Sequence, residues 1–139
     1  MSTNIETIRA SYDAFHRRDL AGVLAAFAPD IEWTHPEGMR RLGLGGTKKG
    51  HEEVIAFIKH VPTYIAEMRL DPREFIESGE RIVVLGTRRV TAANGQSAIF
   101  KFVHAWRFAH GQAVSFEDYF DTAELLGLIE GGASELNAA

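Results

Sequence analysis

The sequence contains no cysteine, which removes disulfides, thiolate nucleophiles and cysteine-ligated zinc together and suits a reducing compartment. It has no apolar run near the ~20 residues that a membrane-spanning helix requires. Its opening, MSTNIETIRASYDAF, carries charges where a signal peptide needs an apolar core. A cytoplasmic location without a membrane partner is therefore expected. Positive charge is not in excess either: 15 Lys and Arg against 19 Asp and Glu leave a formal net charge of −4. The basic residues are scattered rather than striped, so no nucleic-acid partner is expected. G-x-S-x-G and G-x-G-x-x-G are both missing, and GLGGTKKG shares only its glycine content with a phosphate loop.

What is present suits one globular domain. The chain has 139 residues, 45% of them hydrophobic and 24% charged, enough to bury a core of ordinary proportions. Residues 1–130 are read as a single α+β domain and 131–139 as a frayed tail. Ile5, Ile8, Tyr12 and Phe15 recur at helical spacing and predict a helix over about 3–17. Asp19 is placed to cap a second helix with Leu20, Val23, Leu24 and Phe27 inward, ended by Pro29-Asp30. DIEWTHP then alternates as a strand, with Ile31, Trp33 and His35 on one face, until Pro36.

Residues 36–50 hold five glycines and four basic residues without periodicity and are expected to form a flexible loop that closes as a lid. A helix is expected over 51–61, with Glu52 and Glu53 at its positive end. From residue 63 the period becomes two, which predicts strands near 64–77, 80–92, 97–109 and 112–120, joined as antiparallel neighbours. Asp121 has capping-box spacing to Glu124 and opens a last short helix.

Two residues break the alternation. In AIFKFVHAWRF, His104 falls on the face of Phe100, Phe102, Trp106 and Phe108; in the next strand, Asp118 falls with Val114, Phe116 and Phe120. Superposing the two apolar faces requires paired numbers with an even sum, which a strict two-residue His110-Gly111 turn does not give. With a three-residue loop His104 faces Phe116, and with a further shift it faces Asp118. Burying both groups is costly unless they are paired, hydrogen-bonded or wet. They form either a structural ion pair or an acid–base couple.

His35 is a candidate third member at a strand end. Tyr12 and Tyr64 are candidate hydroxyl donors to a ligand. Trp33, Phe57, Phe102, Trp106, Phe116 and Phe120 are candidate walls of an apolar site. A metal held by His35, His104 and Asp118 is not expected, because the compact spacing of many such sites is missing. His16, His51, His60 and His110 are read as solvated.

The opening helix, RRDLAGVLAAFAPDIEW, GTKKGHEEVIAFI and VHAWRFAHGQAVSFEDYFD together resemble the SnoaL-like polyketide cyclases and ketosteroid isomerases of the nuclear transport factor 2 superfamily, over about residues 4–128. The resemblance implies a cone-shaped fold, in which a curved, mostly antiparallel sheet wraps around N-terminal helices and encloses an apolar cavity. It also implies a homodimer. Steroid isomerases of the family use a base Asp before a Pro, a protonated Asp and a Tyr; the matching positions here are His35, His104 and Ser11, a departure at all three. Limonene epoxide hydrolase, another relative, uses an Asp-Arg-Asp relay, and the strand RIVVLGTRRVT has no Asp to supply its second carboxylate.

SnoaL-like cyclases place a His and an Asp on the last two strands at a spacing like that from His104 to Asp118, with the Asp as general base and no cofactor. The reading that follows is a cofactor-independent cyclase, isomerase or dehydratase acting on a small or medium apolar carbonyl compound. Asp118 is its expected base, assisted by His104 and His35. The alternative is a binding module of the same fold that holds a small apolar ligand without changing it.

Overall fold

A computed structural model describes residues 2–131 of the chain, so the terminal tail beyond Gly131 lies outside the described residues. Helix α1 (Thr3–His16) is capped by the Ser2 side chain and buries Ile8, Ser11, Tyr12 and Ala14. The Asp19 carboxylate accepts from the Gly22 amide and starts α2 (Leu20–Leu24), as its residue type favours. Helix α3 (Gly50–His60) carries Glu52 and Glu53 in its first turn, and α4 (Thr122–Glu130) is capped by Asp121.

The described residues also form six strands: β1 (Phe27–His35), β2 (Gly46–Lys49), β3 (Ile65–Ser78), β4 (Arg81–Ala92), β5 (Ser97–Ala109) and β6 (Gln112–Tyr119). They form one sheet in the order β2-β1-β6-β5-β4-β3. All neighbours are antiparallel except β1 and β6. This α+β architecture, with its curved and unclosed sheet covered by the N-terminal helices, is the expected cone. Residues from both layers meet in one core, including Ile8 and Val54 of the helices and Ile31, Ile82, Val84, Val90, Phe102 and Phe108 of the strands. The sheet bends where β3 and β4 slip register between Pro72 and Glu74. Opposite that slip, a Cβ on Gly86 would lie 2.4 Å from the Asp71 carbonyl oxygen, so only glycine fits.

Three local expectations differ from the structure. Pro29 does not end α2; it lies inside β1, whose pairing with β6 shifts register between Phe27 and Glu32. A proline is tolerated there because the ladder is already interrupted.

Residues 36–50 are not a featureless loop. They form a 3-10 helix over Glu37–Leu42 and then β2, and they bury Met39 and Leu44. Their glycines serve defined turns, for Gly43 and Gly46 both have positive φ, which glycine adopts without strain.

The third difference is the β5–β6 connection. It is a two-residue turn of His110 (φ 53) and Gly111 (φ 78), the signs a tight hairpin turn demands. Parity is restored by a bulge between Arg107 and Phe108. Val114 is thereby displaced from the inward face, and Ala113, fully buried, takes its place. From the bulge onward Trp106 pairs with Phe116 and His104 with Asp118, the direct opposition the sequence left open.

Candidate active site

The inner face of the sheet brings four polar residues to one point. His104 and Asp118 are cross-strand partners. His35 follows Thr34, which pairs with Glu117 in the parallel β1–β6 ladder, so it arrives beside Asp118. Arg88 completes the group: it sits on β4 opposite Phe100 and reaches across the Phe102 ring, 5.0 Å from its centroid, with Phe120 at 4.9 Å on the other side. Such placement over aromatic faces suits a guanidinium.

Asp118 is the hub. Arg88 donates to both carboxylate oxygens, its Nη1 at 3.0 Å from Oδ2 and its Nη2 to Oδ1. His104 Nε2 lies 3.4 Å from Oδ1 and His35 Nε2 3.5 Å from Oδ2. The Asp118 and Arg88 side chains are only 2% and 6% exposed. Burial by itself would raise the Asp118 carboxyl, but neighbouring His104 and the Arg88 guanidinium more than offset it and hold the group well below the usual carboxylate range.

Burial has the opposite consequence for the imidazoles, whose charged form it disfavours. His35 is pushed down to about 4 even though Asp118 pulls it upward, and His104 is also lowered. Both rings are therefore neutral near pH 7. His35 stacks on Phe57 and meets Trp33 edge-on, with centroids 4.4 and 4.5 Å apart; its Nδ1 is buried without a hydrogen-bond partner.

Around this cluster lies a cavity of about 590 Å³, within the range of small-molecule sites. His35, Arg88, His104 and Asp118 all line it, and so do Tyr12, Trp33, Phe57, Trp106, Phe116 and Phe120. Met39 and Leu44 contribute from the segment after β1, and Leu125 from α4. The result is a largely apolar chamber whose buried charged groups meet at one place, while Arg18, Asp19, Glu67 and Arg69 line its exposed margin. Such an arrangement can exchange a proton with a molecule bound against the buried cluster.

One expected wall residue, Phe102, and one expected hydroxyl donor, Tyr64, lie elsewhere. Phe102 is buried behind His104, with ring centroids 4.2 Å apart, and touches Arg88 rather than the cavity. Tyr64 packs edge-on to His60 outside the chamber, because β3 begins only at Ile65 and the strand alternation does not yet govern its direction. Three of the histidines read as solvated are structural. His16 Nε2 accepts from the Leu70 amide, while His51 and His60 contact the carbonyl oxygens of Phe27 and Leu42. Arg88 was missed by sequence reasoning, although its signal was available. In β4 it shares parity with Ile82, Val84 and Val90, all fully buried, as His104 does with its neighbours in β5.

The SnoaL-like domain family matches residues 8–116. Among solved structures, an NTF2-like protein of unknown function from Burkholderia pseudomallei K96243 is 74% identical, with a TM-score of 0.92, over 93% of this chain and 98% of that one. TerC, co-crystallised with polyporic acid, is 53% identical with a TM-score of 0.91 over 93% of this chain and 99% of its own. An NTF2-like protein from Burkholderia thailandensis E264 shares the fold, at 24% identity and a TM-score of 0.82, over 93% of this chain and 98% of that chain. No curated protein matches the chain. With the family match spanning most of the domain and the same cone beneath it, the chain belongs to the SnoaL-like domain family of the NTF2-like superfamily.

Proposed function

We propose that this protein is a cofactor-independent acid–base enzyme that acts, as a cyclase, isomerase or dehydratase, on a small or medium apolar carbonyl compound. One observation carries the reading: an ionised Asp118, an Arg88 and two neutral imidazoles meet in the wall of a largely apolar cavity of about 590 Å³. A core needing only stability gains little from buried ions, since hydrophobic residues of similar volume serve as well or better.

The geometry supports a division of roles different from the one expected from sequence. A carboxylate that receives two bonds from Arg88 is a weak proton acceptor, so Asp118 serves as a fixed anion and not as the base. Proton transfer falls to His35, which is neutral and has Asp118 beside its Nε2. When that ring takes a proton from the substrate, the adjacent carboxylate stabilises the imidazolium formed. Arg88 keeps the carboxylate oriented, and the aromatic walls hold the carbon frame of the substrate.

TerC, co-crystallised with polyporic acid, supplies a first candidate ligand type: an aromatic compound whose hydroxyl and carbonyl groups sit on an apolar frame. The experiment is a turnover screen of aromatic hydroxy-carbonyl compounds, polyporic acid among them, followed by mass spectrometry. Wild-type protein should convert at least one compound, and His35→Gln should lose most of that rate.

A second reading, a binding module for such a molecule, is favoured by the mutual pairing of Arg88, Asp118 and His104. Tight binding of a compound recovered unchanged, with no turnover across the screen, supports the module and defeats the enzyme.

A further inference from the structure

Behind His104 runs a chain of hydrogen bonds whose direction is set by the carboxylate on the other side of its ring. Trp106 Nε1 lies 3.2 Å from the Tyr12 hydroxyl oxygen. An indole N–H only donates, so Tyr12 must accept there. The Tyr12 hydroxyl is 2.8 Å from His104 Nδ1. On the far side of the ring Nε2 faces the Asp118 carboxylate, which only accepts, so Nε2 carries the hydrogen of the neutral ring. Burial pushes the Tyr12 phenol far up, so it keeps its proton and donates it to Nδ1. That nitrogen must then carry a lone pair. A neutral ring with an unprotonated Nδ1 has its hydrogen on Nε2, which is the nitrogen 3.4 Å from Asp118 Oδ1.

We infer that Tyr12 and Trp106 are positioning residues, which fix His104 as the Nε2–H tautomer and so commit it to holding Asp118 rather than to shuttling protons. Both nitrogens of His104 are then spoken for. This deepens the role division proposed above, and its catalytic meaning rests on that reading. If His104 cannot exchange its proton without breaking the Tyr12 bond, His35 is left as the exchangeable imidazole of the cluster. The groups that face the His104 ring come from four elements: Asp118 on β6, Arg88 on β4, His35 on β1 and Tyr12 on α1. Trp106 and Phe102 flank it on its own strand.

The Tyr12 bond favours the neutral ring, because an imidazolium has no lone pair at Nδ1 to accept it. Its removal therefore frees His104 to change tautomer or to take a proton. Long-range proton–nitrogen correlation spectra of uniformly ¹⁵N-labelled protein read the tautomer without any substrate. A failure here is thus distinct from a failure of the acid–base proposal. Wild-type His104 should show an unprotonated Nδ1 and a protonated Nε2 at about pH 8 and keep that pattern down to the ordinary imidazole value of about 6.5, where a free ring is half protonated. In Tyr12→Phe the Nδ1 resonance should move toward that of exchanging tautomers and become pH-dependent within this span. Trp106→Phe keeps the tyrosine hydroxyl but removes the donor that orients it, and should move the resonance in the same direction by less. An Nδ1–H pattern or an imidazolium in the wild-type protein would overturn the inference. So would an unchanged His104 spectrum in folded Tyr12→Phe; if that variant does not fold, an unchanged spectrum in Trp106→Phe would do the same.

Discussion

The chain makes the same contact, an arginine on a carboxylate, in two settings. Arg88 and Asp118 meet inside the cone, 6% and 2% exposed, while Arg41 meets Glu130 at the surface with 59% and 41% of the side chains exposed. The surface pair ties the segment after β1 to the end of α4 and remains hydrated. The inner pair is almost wholly shielded from bulk solvent, so each partner depends on the other. What separates them is the solvent around them, and only the inner pair is placed where it could act on a bound molecule.

Breaking the inner pair should give the largest effect. Arg88→Met leaves Asp118 buried and uncompensated, and should cost about 3 to 5 kcal/mol in urea unfolding near pH 7. Replacing both partners, as Arg88→Met with Asp118→Leu, should recover most of that loss, since an apolar pair of similar volume is often neutral or stabilising. A double variant as unstable as the single one would mean that the pair itself holds the fold.

The next effect separates the imidazoles from the pair. His35 and His104 have lowered values in the fold, so below the ordinary value of about 6.5 the unfolded chain binds more protons than the folded one. Their contribution is thus complete above that value and is lost as the pH falls through the folded value, about 4 for His35. His35→Phe keeps the stacking on Phe57 and removes the titration. It should flatten the stability change across this window by about 3 kcal/mol. His16, lowered mainly by burial, will keep part of the slope. Asp118 acts at lower pH with the same sign: its stabilisation is present above the ordinary carboxylate range and is lost as the medium becomes more acidic.

The smallest effect belongs to the surface. Glu130→Gln and Glu37→Gln should leave the melting midpoint unchanged, because their arginine partners stay solvated. A marked drop in Glu130→Gln would make the link between α4 and the segment after β1 more than a surface contact.

The same contrast explains what could be read from sequence. Strands β3 to β6 were legible to within about two residues because each buries one face, and period two follows from that. His104 and Asp118 stood out as charges on those faces, and Arg88 could have been found by applying the same parity to β4. The pairing of His104 with Asp118 was left between two registers, since it depends on the bulge at Val114, a backbone irregularity with no residue signature of its own. Residues 36–50 were opaque for a similar reason: their order comes from burying Met39 and Leu44 against the cavity, a tertiary contact that leaves no period. His35 was recognised by its face, but its nearness to Asp118 comes from a parallel pairing between the first and last long strands, which no local pattern encodes.

The central claim is that the inner cluster performs chemistry, with His35 as its proton carrier. It is tested most directly by the turnover rate of wild type and His35→Gln on the first compound found to be converted, compared at equal concentrations of folded protein. The account predicts a loss of about 10²- to 10⁴-fold, the usual worth of a general acid–base group. A variant that keeps the wild-type rate would contradict it.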